Sequence, residues 1–419
     1  MRIIFSLMVL LLATMTSTHA QQKWTQDRFE IGGWIAPPIS FSTDETYARM
    51  QEAGFTLMTG PRQRDNEDAE SNRKVLDLCR RHGIRYIVRD RRMHLDPQTD
   101  EDKRALDAMI ADYKDHPALY GYFLMDEPNP EAYRRLVQLH AYLQAKDPTR
   151  LTYINLFPNY GGPTQLQFPD YDGYVNGFVE AVHPLMLSYD HYSILKQGER
   201  NNWFANLEVV RRDSLKQGIP MWVIIQALQD ATRYRPPTLN QMYWQVTTAL
   251  AYGAKSIWYY PYWSAGDPKK PEEWHYMGVI LPDGKPGPQF ESAKEINPKL
   301  KALGPLLMGL RSLSVTHLGD VPLRAEAFHA DDLMASARGD QIIIGRFQDR
   351  LGKPVLMLVN RDWENPGNVR IAIKGADGVE DIGRIGPGEP LSAVEWNASA
   401  KELSLKLAPG EARIIRIVE

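Results

Sequence analysis

Leu119-Tyr120-Gly121-Tyr122-Phe123-Leu124-Met125-Asp126-Glu127-Pro128 decides how the rest of the chain is read. The run is short, apolar and aromatic, with no charge before Asp126. That is the texture of a parallel strand buried on both faces. It ends in two carboxylates and a proline. Asn129 then suits a helix N-cap, Pro130 the first helical position, and Glu131 complements the positive end of the helix dipole. The stretch predicts a strand, a carboxylate-bearing tip and a helix start. Ligands of α/β folds sit at the carboxyl ends of strands, which singles out Asp126 and Glu127.

Working outward, the same unit recurs. Strands are expected at 29–35, 55–60 and 84–90 before it, and at 151–156, 185–190, 220–226 and 254–260 after it. Helices are expected over 44–53, 69–82, 100–114, 130–146, 202–217, 239–252 and 290–303, with a helical or irregular segment at 171–181. Gly54, Gly83, Gly218 and Gly253 follow helical patterns where a left-handed residue closes the last turn. Eight strand–helix units, near the ~250 residues of such folds, predict a (β/α)8 TIM barrel. An open doubly wound sheet is the alternative. The unit count and the absence of a Gly-rich dinucleotide turn after the first strand argue against it.

After about Leu310 the texture changes to short alternating strands at 341–347, 354–360, 369–373, 403–407 and 412–417, separated by turn residues. This predicts a small C-terminal antiparallel β-sandwich. At the other end, Arg2, the apolar run 3–13 and the small residues up to Ala20 form a signal-peptide pattern. The expected organisation is a signal peptide at 1–20, a barrel at 21–310 and a β-sandwich at 311–419. The expected location is secreted or periplasmic, with no membrane span once the signal is cleaved.

The formal net charge of −3 offers no electrostatic footprint for nucleic acid. Cys79 is the only cysteine, which excludes an intramolecular disulfide and a Cys-rich metal site. It falls in a helical pattern and reads as a buried small hydrophobe. Neither a cofactor nor a metal site is expected.

With a barrel assumed, the strand ends gather polar groups. They are Arg62 and Arg64, Arg89 to Arg92, Asp126 and Glu127, Asn155, Asp190 with His191 and Tyr192, then Gln226 with Asp230 beyond it. Cleavage of a glycosidic bond needs two carboxyl groups, one to protonate the leaving oxygen and one to act as base or nucleophile. Glu127 is the expected general acid and Asp190 the second carboxylate. Adjacent strand residues face opposite ways, so Asp126 is expected to orient its neighbours rather than face the substrate squarely. Asn155, Tyr192, Gln226 and Tyr260 are expected to hold sugar hydroxyls. Trp258, Tyr260, Tyr262, Trp263 and Trp34 offer flat faces for sugar stacking. The arginines, Arg89 among them, would fit an anionic sugar, against the blander reading of solvated ion pairs.

The Asp126-Glu127-Pro128 tip resembles the Asn-Glu-Pro motif of clan A glycoside hydrolases, and the aromatic last barrel strand is similar too. A secreted barrel with a β-sandwich looks like bacterial proteins loosely related to the family 42 β-galactosidases. The resemblance implies that Glu127 is the acid/base. Two positions depart from it. Asp126 stands where the clan has asparagine. The seventh strand ends in Gln226, where the clan has its nucleophilic glutamate, leaving Asp190 or Asp230 as substitutes. The expected function is hydrolysis of a poly- or oligosaccharide. Two rivals stand beside it: a non-catalytic glycan-binding protein on the same scaffold, and a uronate lyase using Tyr192 with His191.

Overall fold

The computed structural model describes residues 23–60, 67–273 and 276–418. The expected signal peptide and Arg62 and Arg64 lie outside the described residues. Eight parallel strands form the barrel: β1 (Glu30–Gly33), β2 (Leu57–Thr59), β3 (Arg85–Val88), β4 (Leu119–Asp126), β5 (Leu151–Asn155), β6 (Leu187–His191), β7 (Met221–Gln226) and β9 (Ser256–Tyr260). The two-residue strands β8 (Gln229–Asp230) and β10 (Tyr276–Met277) pair antiparallel as a ribbon of their own. Between β5 and β6 the backbone pairing is an isolated Leu156–Tyr189 bridge, with Leu156 N–H donating to Ser188 O at 2.8 Å. The ring is therefore nearly closed.

The strand–helix loops carry their own start signals. Asp68, Thr99, Asp170 and Thr238 each accept a backbone N–H of the first helical turn that follows them. These caps satisfy donors that a helix cannot satisfy internally. The helices they open are α2 (Ala69–Arg81), α3 (Asp100–Tyr113), α6 (Tyr171–Val182) and α8 (Leu239–Ala251). Cys79 is fully buried on α2, and burial pushes its thiol up, so it is an inert core residue.

An aromatic column fills the barrel. Trp24 meets Tyr120 and Trp222 edge-on. Trp222 stacks on Trp258 with centroids 5.8 Å apart, and Trp258 stacks on Tyr153 at 5.7 Å. Trp34 closes the column against Trp258 and Phe123. Trp258 reaches this place because β1 carries glycine opposite it: a Cβ on Gly32 would lie 1.9 Å from the Trp258 ring. Gly32→Ala is expected to lower stability by about 1–3 kcal/mol, the usual cost of overpacking a filled core. Urea denaturation checks it, and an unchanged midpoint would show that the indole can move aside.

The C-terminal part comprises two antiparallel sheets. One has the order β11-β13-β14-β19-β16, from β11 (Arg311–His317), β13 (Ile342–Gln348), β14 (Pro354–Asn360), β19 (Ala412–Val418) and β16 (Gly378–Ile385). The other runs β12-β15-β18-β17, from β12 (Met334–Gly339), β15 (Gly367–Ile373), β18 (Glu402–Leu407) and β17 (Glu395–Asn397). Ile342, Ile344 and Leu356 of the first pack with Ile371, Leu403 and Leu407 of the second in a separate core. The first sheet also holds the barrel's flank. Thr247 on α8 donates to Gly410 O, Arg211 donates to Ser312 Oγ, and Tyr252 meets His317 Nε2 at 2.9 Å.

Candidate active site

A cavity of about 430 Å3 opens at the carboxyl ends of the barrel strands, within the usual size of a small-ligand site. Its wall is built from successive strand ends. Trp34 comes from β1, Arg89 from β3, Asp126 and Glu127 from β4, Asn155 from β5, Asp190 and Tyr192 from β6, and Tyr260 from β9. The β8–β10 ribbon adds Asp230 and Tyr276 at the rim. No residue of the C-terminal sheets is among the lining residues.

Both carboxylates of the β4 tip line this cavity, contrary to the alternation expectation. Two features break the alternation. The β4–β5 register shifts between Phe123 and Met125. Glu127 then leaves the extended region with φ at 48°. Its N–H still donates to Asn155 O at 2.7 Å, so the chain turns while tied to β5. A left-handed backbone costs a non-glycine residue about 1–2 kcal/mol, and such conformations cluster at functional sites.

One amide links the carboxylates of two strands. Asn155 Nδ2 donates to Asp126 Oδ1 at 3.2 Å and to Asp190 Oδ1 at 2.9 Å. Its orientation is set from behind: Ser188 Oγ donates to Asn155 Oδ1 at 2.9 Å, and Tyr153, 2.9 Å from Ser188, is left to donate to that hydroxyl. Asp190 is buried, while Asp126 is exposed within the cavity. Burial, helped by the charge of Asp126, pushes the Asp190 carboxyl up to about 7, against the hydrogen bonds from Asn155 and Tyr192. The two carboxylates therefore act as a coupled pair.

No family model and no curated sequence matches the chain. Among solved structures, a GH42 β-galactosidase from G. stearothermophilus, a catalytic mutant, is similar over 94% of this chain and 98% of its own. The TM-score is 0.59 at 10% identity. The fold is that of a clan A-type glycoside hydrolase. A family 39 glycoside hydrolase from Bacteroides cellulosilyticus WH2 aligns over 93% of this chain and 81% of its own, at TM-score 0.47 and 12% identity. A β-galactosidase from the psychrophilic Marinomonas ef1 aligns over 65% of this chain at TM-score 0.49 and 12% identity, and only 60% of its length is spanned.

Relative to this glycosidase-type fold, two expected ligand contacts are corrected. Gln226 does not line the cavity. It is fully buried and turned into the loops: Nε2 donates to Ile194 O, Leu228 O and Arg235 O, and Oε1 accepts from Ile194 N at 2.8 Å. Gln226 thus serves as a loop clamp at the end of β7. Gln226→Glu is expected to lower stability by about 1–3 kcal/mol, because a carboxylate cannot donate to those carbonyls. Thermal unfolding measures it, and an equally stable variant would overturn the clamp. Trp258 is also not a platform. It is fully buried beneath the cavity in the aromatic column, Tyr262 is buried likewise, and Trp263 packs on Phe41. Trp34 and Tyr260 remain as aromatics at the cavity.

The arginine group divides as well. Arg92 is bound to Asp90 and Asp112, at 2.7 and 2.8 Å. Arg89 lines the cavity, lying over the Phe123 ring and 3.5 Å from Glu67. Arg233 also lines the cavity, and the sequence reading missed it because its loop has no regular pattern. Leu228 and Tyr234 went unnoticed for the same reason, Ile224 because it reads as strand core, and Tyr276 because it lies well beyond the last barrel strand. Among the described residues, two arginines and four carboxylates line the cavity. Asp230, the reserve candidate, works as a turn-former. Burial opposes its ionisation, but the backbone N–H groups of Tyr234, Arg233 and Thr232 hold its carboxyl below the usual range.

The lyase pair does not assemble. His191 faces away from the cavity, edge-on to Tyr160 and Trp203, with its ring nitrogens engaged by Ser193 and Asn202. Burial lowers its pKa to about 3. Tyr192 lines the cavity, stacked on Tyr260 at 5.2 Å, but burial raises its phenol well above the ordinary value. His191 is not among the cavity's lining residues, and the Tyr192 phenol keeps its proton near neutrality.

Proposed function

We propose that the protein is a glycoside hydrolase that cleaves a glycosidic bond in a poly- or oligosaccharide, with Glu127 as general acid and Asp190 as second carboxylate. The observation that carries this is the shared cavity: Glu127 and Asp190, from different strands, line one pocket at the catalytic end of the barrel. Trp34, Tyr192 and Tyr260 form aromatic surface beside them for a sugar ring. The N-terminal pattern adds that the enzyme works in the periplasm or outside the cell.

The test is hydrolysis of aryl glycosides and of plant and algal polysaccharides by the wild-type protein, Glu127→Gln and Asp190→Asn. Unchanged turnover in Glu127→Gln ends the assignment. The clamped Gln226 favours one second reading, a glycan-binding protein on a barrel that has lost its nucleophile. Wild-type binding of glycans without hydrolysis would establish it.

A further inference from the structure

We infer that the cleft between the barrel flank and the C-terminal sheets is a second saccharide-binding site, which holds a neutral polysaccharide chain beside the active site. For its ligand class this rests on the hydrolase reading above.

The cleft has a volume of about 540 Å3, against about 430 Å3 for the catalytic cavity. It is built from residues 199–204 after β6, Trp244 of α8, residues 320–323 after β11, Gln341 before β13 and residues 361–364 after β14. Part of its lining is aromatic and packed in place. Trp244 is buried against Trp203 and Phe204, with centroids 5.3 and 5.8 Å away. Trp363 is half-buried and meets Trp244 edge-to-face at 4.8 Å, while Asn240 Nδ2 donates to its carbonyl at 3.2 Å. Val321 and Leu323 add apolar surface, 42% and 57% exposed.

The polar groups of the lining divide into engaged and unengaged. Asp362 closes a turn, Asp320 accepts from Gln341, and one Arg361 amino group donates to Leu318 O and Asp320 O. The carboxylates of Glu199 and Glu364 and the side-chain amide of Asn201 make no hydrogen bond among the described residues. Arg200 commits Nε, to Tyr192 O, and neither of its Nη groups bonds to another described residue. Glu199 and Glu364 also lie close enough to repel each other.

This unengaged set selects the ligand's chemistry. An ammonium would pair with the two carboxylates but meet Arg200, and a sulfate or phosphate would do the reverse. A hydroxyl both donates and accepts, so a neutral polyol uses both sets without bringing a charge to either. A sugar presents such hydroxyls around a ring with apolar C–H faces, and Trp363 offers a flat partner for one of those faces.

The two sites share a wall. Arg200 of the cleft reaches the carbonyl of Tyr192, a lining residue of the catalytic cavity, at 3.0 Å. Its guanidinium lies over the ring of Tyr160, whose hydroxyl accepts the Tyr192 N–H. Residues 192–200 thus border both spaces, and a polymer longer than the catalytic cavity meets a second hold one loop away.

Native gels cast with soluble neutral polysaccharides (galactan, xyloglucan, mixed-linkage β-glucan) or anionic ones (alginate, polygalacturonate) report binding as retardation relative to serum albumin. The full-length Glu127→Gln protein is expected to be retarded in at least one neutral gel. Adding Trp363→Ala should weaken that binding about 2–10-fold, the value of one aromatic contact, and adding Glu364→Ala should weaken it in the same gel. In the otherwise wild-type protein, Trp363→Ala should raise KM on the retarding polysaccharide and leave kcat/KM on aryl glycosides unchanged. Thermal unfolding checks that each variant folds, and Glu364→Ala carries the test alone where Trp363→Ala does not. Equal retardation with and without the cleft substitutions, retardation in anionic gels only, or none in any gel overturns the inference. Cleft-dependent retardation without wild-type hydrolysis of any aryl glycoside or polysaccharide overturns the hydrolase reading instead and leaves the second site standing.

Discussion

Glu127→Gln is expected to lower kcat/KM by about 10²–10⁴-fold, the usual contribution of a general acid, with the melting temperature close to wild type. The size follows from the site. The carboxyl lines the cavity on a backbone at φ 48°, which places it past the strand instead of in its alternating series. Glutamine keeps the shape and the backbone tie to Asn155 O, so only the transferable proton is removed. Substrates with a good leaving group need less protonation and should be affected least. A uniform loss across leaving groups would mean that Glu127 positions the sugar and does not protonate it. Circular dichroism and thermal unfolding of the variant separate the chemical loss from a folding defect.

The architecture was legible because its signals are local and repeated. Apolar runs recur at each strand–helix unit, with Gly-ended helices and Asp or Thr caps at several of them, and they place the β4 tip at the mouth of a barrel. The tip itself was harder. Alternation assumes an unbroken strand, whereas β4 shifts register against β5 and Glu127 turns left-handed, so Asp126 and Glu127 share one cavity. Nothing in the residue types announces that turn except Pro128. Gln226 and Trp258 were misplaced for a related reason. Residue chemistry reveals which groups could touch a ligand, but only packing decides whether they are already used. Gln226 is used by loop backbone and Trp258 by the space above Gly32. The edge strands β16 and β17 escaped notice because partly exposed, charge-bearing strands lack a clean two-residue period.

The Asn155 bridge ties two otherwise separate observations into one electrostatic unit. Burial resists ionisation of Asp190, and the charge of Asp126, joined to it through one amide, adds to that resistance. Tyr153 and Ser188, behind the amide, keep its donor end toward the carboxylates. The barrel core therefore reaches into the chemistry through a hydrogen-bonded chain that starts inside the aromatic column.

Asp190→Asn is expected to abolish most activity while making the fold more stable above neutral pH. In the folded protein Asp190 holds its proton up to about pH 7 because of burial, then of Asp126. In the unfolded chain it titrates near ~4. Between those values the folded state binds the extra proton, so wild-type stability falls as pH rises from about 4 through about 7. Across that window the loss is on the order of a few kcal/mol, because ionisation leaves a buried charge beside Asp126. Asparagine keeps an acceptor for Asn155 Nδ2 and carries no charge at any pH. The variant's stability should accordingly be flatter with pH, and above wild type at pH 8. The same ionisation makes the pair competent as a base, so wild-type kcat/KM should rise with pH through a limb near 7, which Asp126→Asn moves to lower pH by removing the neighbouring charge. Urea denaturation at pH 5 and pH 8, with pH–rate profiles of wild type and Asp126→Asn, checks both halves. Parallel stability curves for wild type and Asp190→Asn would show that Asp190 is already ionised at pH 5, and the coupled pair would then be wrong.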